Sequence, residues 1–150
     1  MSQVFPYGIM LQEGGKVALF PAAEVTFPAP DGERVSLFLI IDSGATISAL
    51  PSSDATIFGV QADRGVPITV AGITGEPLYG WRHEIQVKLG DEEILLPVVL
   101  LDSPYAPRVL GREGIFERFM IVFDEARCRS GFIDENTKEG NRIREIVGGI

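Results

Sequence analysis

The run Val35-Ser36-Leu37-Phe38-Leu39-Ile40-Ile41 passes without a break into the polar turn Asp42-Ser43-Gly44-Ala45-Thr46. A short, nearly unbroken apolar run rich in β-branched and aromatic residues, closed by turn residues, reads as a well-buried strand. A carboxylate placed directly after such a strand is at least partly withdrawn from water, which suits it to acid or base work. Gly44 permits the tight backbone path, and Ala45 adds almost no bulk beside the carboxylate. Taken alone, Asp-Ser-Gly is also an ordinary turn.

The rest of the chain continues the β pattern. Residues 4–11 and 16–20 flank Glu13-Gly14-Gly15, a hairpin turn. Residues 22–27 lead through the turn-forming stretch Pro28–Glu33 to a strand over 34–41. Ser52 or Ser53 is placed to cap a short helix through Phe58, with Gly59 closing it. Strands over 66–71 and 78–89 surround Gly72-Ile73-Thr74-Gly75-Glu76-Pro77, and Ile85, Val87 and Leu89 alternate with polar neighbours as in a half-buried strand. Ile94–Leu101 is apolar on both faces and therefore central, although Pro97 calls for a bulge or a local edge there. A helical turn or two is expected over 112–118, then a hairpin from 120–123 to 130–133, then a helix or strand from Glu135. Strand, glycine-containing turn and short helix occur at 35–58 and again at 94–119, an internal echo that suggests a pseudo-twofold arrangement. The expectation is one all-β domain over 1–150, a small closed barrel with one or two short helices.

Composition narrows the function classes. A formal charge of −8 repels nucleic acid and anionic membranes. One cysteine, Cys128, and one histidine, His83, leave no disulfide framework and no Cys/His metal cluster, so neither metal nor cofactor is expected. The N-terminus lacks a basic segment followed by an apolar core, and the apolar runs 37–41 and 94–101 are too short to span a bilayer. These features predict a soluble, cytoplasmic protein.

The order of motifs resembles the retropepsin-like, single-domain aspartic proteases. The strand into Asp-Thr/Ser-Gly-Ala is matched by Leu39-Ile40-Ile41-Asp42-Ser43-Gly44-Ala45-Thr46. The second hallmark, two hydrophobic residues before Gly-Arg-Asp/Asn, is matched by Val109-Leu110-Gly111-Arg112-Glu113, with Glu113 departing from the family pattern. The resemblance covers about residues 17–133 and implies a flap hairpin at Gly72, Ile73, Thr74 and Gly75. It also implies a homodimer, because metal-free amide hydrolysis uses two adjacent carboxylates sharing one proton and this chain has one Asp-Ser-Gly. On that reading Asp42 is catalytic and Ser43 bonds across the dimer. Gly44 donates backbone contacts to the carboxylates, Ala45 borders the cleft, Thr46 completes the supporting turn, and Gly111 and Arg112 form the second, structural motif. The substrate is an extended peptide or protein segment. The alternative is the same fold kept as a dimerisation or peptide-binding module without hydrolysis; a β-barrel binding domain unrelated to proteases is a third reading.

Other residues have plainer explanations. Asp31 in Pro-Asp-Gly reads as a turn residue, His83 as structural or solvated, and Asp91-Glu92-Glu93 as a solvated hairpin tip. Cys128 lies between two arginines, but a catalytic thiol needs a base that no pattern supplies. Arg112 is expected to form a structural ion pair under the Asp42 turn, with a substrate contact as the alternative.

Overall fold

A computed structural model describes residues 2–72 and 74–149. The strands are β1 (Gln3–Pro6), β2 (Gly8–Leu11), β3 (Val17–Phe20), β4 (Ala22–Pro28), β5 (Arg34–Ile41) and β6 (Ser48–Pro51). After helix α1 (Ala55–Phe58) come β7 (Val66–Ala71), β8 (Pro77–Leu89), β9 (Glu92–Leu101), β10 (Val109–Leu110), β11 (Phe119–Asp124) and β12 (Arg129–Asp134), and α2 (Lys138–Gly148) ends the chain. The architecture is all-β with two helices, as the pattern of short apolar runs between glycine and proline turns requires.

Six strands form a ring in the order β4-β5-β10-β6-β9-β8, closed by pairing of Val25 with Leu89 and Thr26 with Lys88. Alternate residues point inward, so Val25, Phe27, Leu39, Leu50, Val87, Leu89, Leu96, Val98, Leu100 and Leu110 fill the ring and are all but inaccessible to solvent. Phe27 stacks on Phe58 of α1 at 4.4 Å between ring centroids, which seals one end. A second sheet, β1-β12-β11, lays Phe5, Phe119 and Phe132 against the same core, with both outer rings edge-on to Phe132.

The internal echo holds for the strands but not for the helices, since α1 follows β6 and no regular helix separates β10 from β11. β5 runs parallel to β10 and β6 parallel to β9, while β6 and β10 are antiparallel neighbours. Exchanging β5 with β9 and β6 with β10 reproduces every one of these pairings, so the two strand–turn–strand units interlock about a pseudo-twofold axis.

Several expectations change in detail. Residues 4–11 are not one strand: the chain breaks at Tyr7, β1 joins β12, and β2 pairs with β3 alone. Neither Ser52 nor Ser53 caps α1; a 3-10 turn over Ser52–Asp54 already carries the chain into helical geometry, and the position before it is Pro51, which has no hydroxyl. Gly59 closes α1 as expected, at φ +70°. No regular helix forms over 112–118: Phe116 N–H to Arg112 O and Phe119 N–H to Ile115 O are isolated turns, interrupted where Gly114 takes φ +79°. Pro97 needs no bulge. It sits where β9 has only β8 beside it, because β6 begins to pair at Val98. The tail forms a helix, capped by the Thr137 hydroxyl accepting from Gly140 N–H.

Candidate active site

The two sequence motifs meet as backbone. Asp42 N–H donates to Leu110 O at 3.1 Å, Arg112 N–H to Ala45 O at 3.0 Å, and Glu113 N–H to Thr46 O at 2.8 Å. The segment 110–113 thus runs along the turn 42–46 and fixes its shape from beneath. Gly111 lies where the two approach most closely: a Cβ there would stand 2.4 Å from the Ile47 carbonyl carbon and 2.5 Å from its oxygen. Its N–H donates to the fully buried Ser48 hydroxyl at 3.0 Å, so neither polar group is stranded.

Asp42 is half-buried at the end of β5. Its Oδ1 accepts from Gly44 N–H at 2.8 Å, and Ala45 N–H closes the turn on Asp42 O. That orients the carboxylate and leaves Oδ2 without a partner among the described residues. Ser43 is exposed, and its hydroxyl has no hydrogen bond among the described residues.

Asp42 opens into a cleft of about 340 Å³. Its floor is a row running across the sheet, in which Val109 pairs with Ala49 and Ala49 with Val99. Thr46, Ile47, Leu101 and Pro107 also line it, as do Val70, Ala71, Gly72 and Leu78 of the β7–β8 hairpin. That hairpin is turned by Gly72 N–H to Glu76 O and Gly75 N–H to Gly72 O, with Gly75 at φ +80°. Asp42, Gly44, Ala45, Thr46 and Gly72 therefore share one cleft. Thr74 and Gly75 lie exposed at the hairpin tip, Gly111 and Arg112 lie outside the cleft, and Ile73 falls outside the described residues.

No second carboxylate lines the cleft among the described residues. The pseudo-twofold places Asp102 after β9 as Asp42 follows β5, and Leu101-Asp102-Ser103 echoes Ile41-Asp42-Ser43, a signal that sequence reading missed. It does not stand beside Asp42. β5 and β9 are antiparallel and three strands apart, so the two aspartates leave opposite edges of the sheet, on the order of 20 Å from each other by strand rise and spacing.

Arg112 corrects another expectation. It is exposed and forms no ion pair among the described residues; the pair belongs to its neighbour. Glu113 accepts two hydrogen bonds from Arg82 of β8, at 2.6 and 3.1 Å, tying the segment under the Asp42 turn to the strand that carries the hairpin. The Arg82 guanidinium holds the Glu113 carboxyl below its ordinary range. Arg108, at the foot of the wall containing Pro107, binds the buried Asp54 through two hydrogen bonds of 2.8 and 3.0 Å. The apolar wall residues Ile47, Val70, Leu78 and Pro107 had no signature in sequence beyond being hydrophobic.

Asp31, His83 and Cys128 are as plain as expected, but Glu92, read as part of a solvated hairpin tip, belongs to β9 and turns a largely buried carboxylate onto Arg118. Asp31 Oδ1 accepts from Glu33 N–H, a turn bond, and His83 Nε2 sits 2.8 Å from Ala62 O. Cys128 turns the β11–β12 connection at φ +48°, with its thiol on Glu125 O. No group of three His, Cys, Asp or Glu suited to a metal occurs among the described residues, and no helix there is long and apolar enough to cross a membrane.

Comparison with known proteins places the fold. No protein-family model matches the chain, and no curated protein matches it in sequence. Among solved structures it is similar to a retropepsin-like aspartic protease from Rickettsia conorii, with TM-score 0.58 and 16% identity over 87% of this chain and 98% of that one. At that identity the likeness is one of fold.

Proposed function

We propose that the chain is one half of a homodimeric aspartic endopeptidase, in which the Asp42 carboxylates of two copies meet and activate water for peptide hydrolysis. The observation that carries the reading is the solitary carboxylate of Asp42, held by the Gly44 amide at the mouth of an apolar cleft faced by a glycine-turned hairpin. One carboxylate cannot serve as both base and acid in the same step. Two at close range cannot both ionise, so they keep one proton between them: the ionised member takes a proton from water while the protonated member polarises the peptide carbonyl. The dyad titrates as a unit.

The free Ser43 hydroxyl is available to bond across the dimer, and Asp102 does not stand beside Asp42 in the same chain. The apolar floor suits an extended peptide with hydrophobic side chains beside the scissile bond. The β7–β8 hairpin would supply main-chain hydrogen bonds to that peptide and exclude water.

The test is Asp42→Asn. Hydrolysis of an apolar peptide library should disappear while the native mass stays that of a dimer, because amide and carboxylate are nearly isosteric. The wild-type rate should peak on the acid side of neutrality, where the pair carries one proton. Cleavage that survives the substitution removes the reading. Peptide binding without cleavage at any pH would leave a binding module on the same fold.

A further inference from the structure

The ribbon β2–β3 stands apart from both larger sheets and pairs only with itself. Its register, Ile9 with Leu19 and Leu11 with Val17, sets those four side chains on one face, while Gly8, Met10, Ala18 and Phe20 take the other. The second face is the more covered one: Gly8 is buried under the Phe20 ring of its cross-strand partner and Ala18 and Phe20 are half-buried, although Met10 remains 46% exposed. The first is bare. Ile9 is 70% exposed, Leu11 78%, Val17 59% and Leu19 51%. An isolated two-stranded hairpin is marginal in water even without such a surface.

The ribbon's root is at the candidate active site. Pro21, directly after β3, accepts from Ile41 N–H at 3.0 Å, one residue before Asp42. Val17, paired with Leu11, lies four residues farther out, about 13 Å along the strand. A bare apolar face thus projects from the end of the molecule that has half a catalytic pair.

We propose that the Ile9–Leu11–Val17–Leu19 face is a dimer clasp whose occupant is a second copy of this chain. The inference rests on the Asp42 dyad reading, since that reading requires a second copy at this end of the molecule. The four side chains offer roughly 400–500 Å² per copy, more than half of what each partner contributes to a standard-sized stable interface. A Ser43 contact and a pair of facing carboxylates alone would bury far less. The clasp supplies the apolar burial that holds the two like-charged Asp42 turns together.

The experiment compares sedimentation equilibrium of the wild type, Leu11→Asp, Leu19→Asp and a control, Ile146→Asp, which alters an equally exposed residue on α2. The clasp predicts that each ribbon variant raises the dimer dissociation constant at least about 30-fold, as loss of a central apolar contact does, and that the control leaves it unchanged. Peptidase activity per dimer should recover at high protein concentration. A photo-cross-linking residue at position 11 should give a covalent dimer, which tests contact without reliance on a destabilising charge. A wild-type dimer that withstands both ribbon substitutions, with no cross-link from position 11, overturns the clasp and leaves the dyad intact. A wild type that stays monomeric at all concentrations and cleaves nothing overturns the dyad, and the clasp with it.

Discussion

Gly111→Ala isolates the contact on which the geometry around Asp42 depends. The added methyl would meet the Ile47 carbonyl carbon at 2.4 Å and its oxygen at 2.5 Å, about 1 Å inside ordinary contact. Neither atom belongs to a side chain that can rotate away, so segment 110–113 or the turn carrying Asp42 must move. Overpacking of this kind costs about 3 kcal/mol, the upper end of the usual range, because the obstruction is backbone. For a domain of this length that lowers Tm by roughly 6–12 °C. The displacement falls on the three backbone hydrogen bonds that shape the Asp42 turn, and a shift near 1 Å at reacting groups can cost about 100-fold in rate. The control is Gly131→Ala in β12, where the nearest atom to a new Cβ is 3.5 Å away. That variant should melt within about 2 °C of wild type and keep its activity, although the chemical change is identical. Thermal unfolding measures the difference in stability and, on the proposed function, hydrolysis of an apolar peptide measures the difference in rate. A Gly111→Ala protein as stable and active as the Gly131→Ala control would refute the claim that glycine is there for want of space.

Two further outcomes follow from the ion pairs. Arg108→Met strands the Asp54 carboxylate in the core and should cost about 2–3 kcal/mol, less than a fully buried pair because Arg108 is partly exposed; Asp54→Asn, which leaves no buried charge, should cost less, and chemical denaturation giving the opposite ranking would contradict the argument. Glu113 is held below its ordinary range by Arg82, so its pairing stabilises the protein above the ordinary carboxyl pKa and is lost as pH falls through the lower folded value. Glu113→Gln should therefore lose less Tm than wild type on acidification below about pH 4, and parallel curves would show that the pair is not responsible.

Much of the fold is legible as period. The alternation in 84–89, the apolar run 94–101 and the glycine turns around them fix strands and approximate boundaries, because side chains on a half-buried strand have to alternate. Pro97 was also readable as a local edge. Segment 112–118 was not: its apolar Ile115, Phe116 and Phe119 suit a helix, but Gly114 in the left-handed region, near Pro97, breaks the hydrogen-bond ladder. The serine caps expected for α1 fail for a similar reason, since the preceding turn is already helical when it reaches Asp54.

Local residue order is enough to place an acid at the end of an apolar strand, a glycine hairpin after it and a Gly-Arg segment later. Each of these is written in neighbouring residues and needs only local geometry. Tertiary structure alone decided that segment 110–113 is the cradle of the Asp42 turn, that Glu113 and not Arg112 makes the ion pair, and that Asp102 faces the opposite edge. Those outcomes depend on which strands become neighbours and in which direction they run. Strand neighbours are chosen by how the whole ring closes around its core, and no stretch of adjacent residues contains that information.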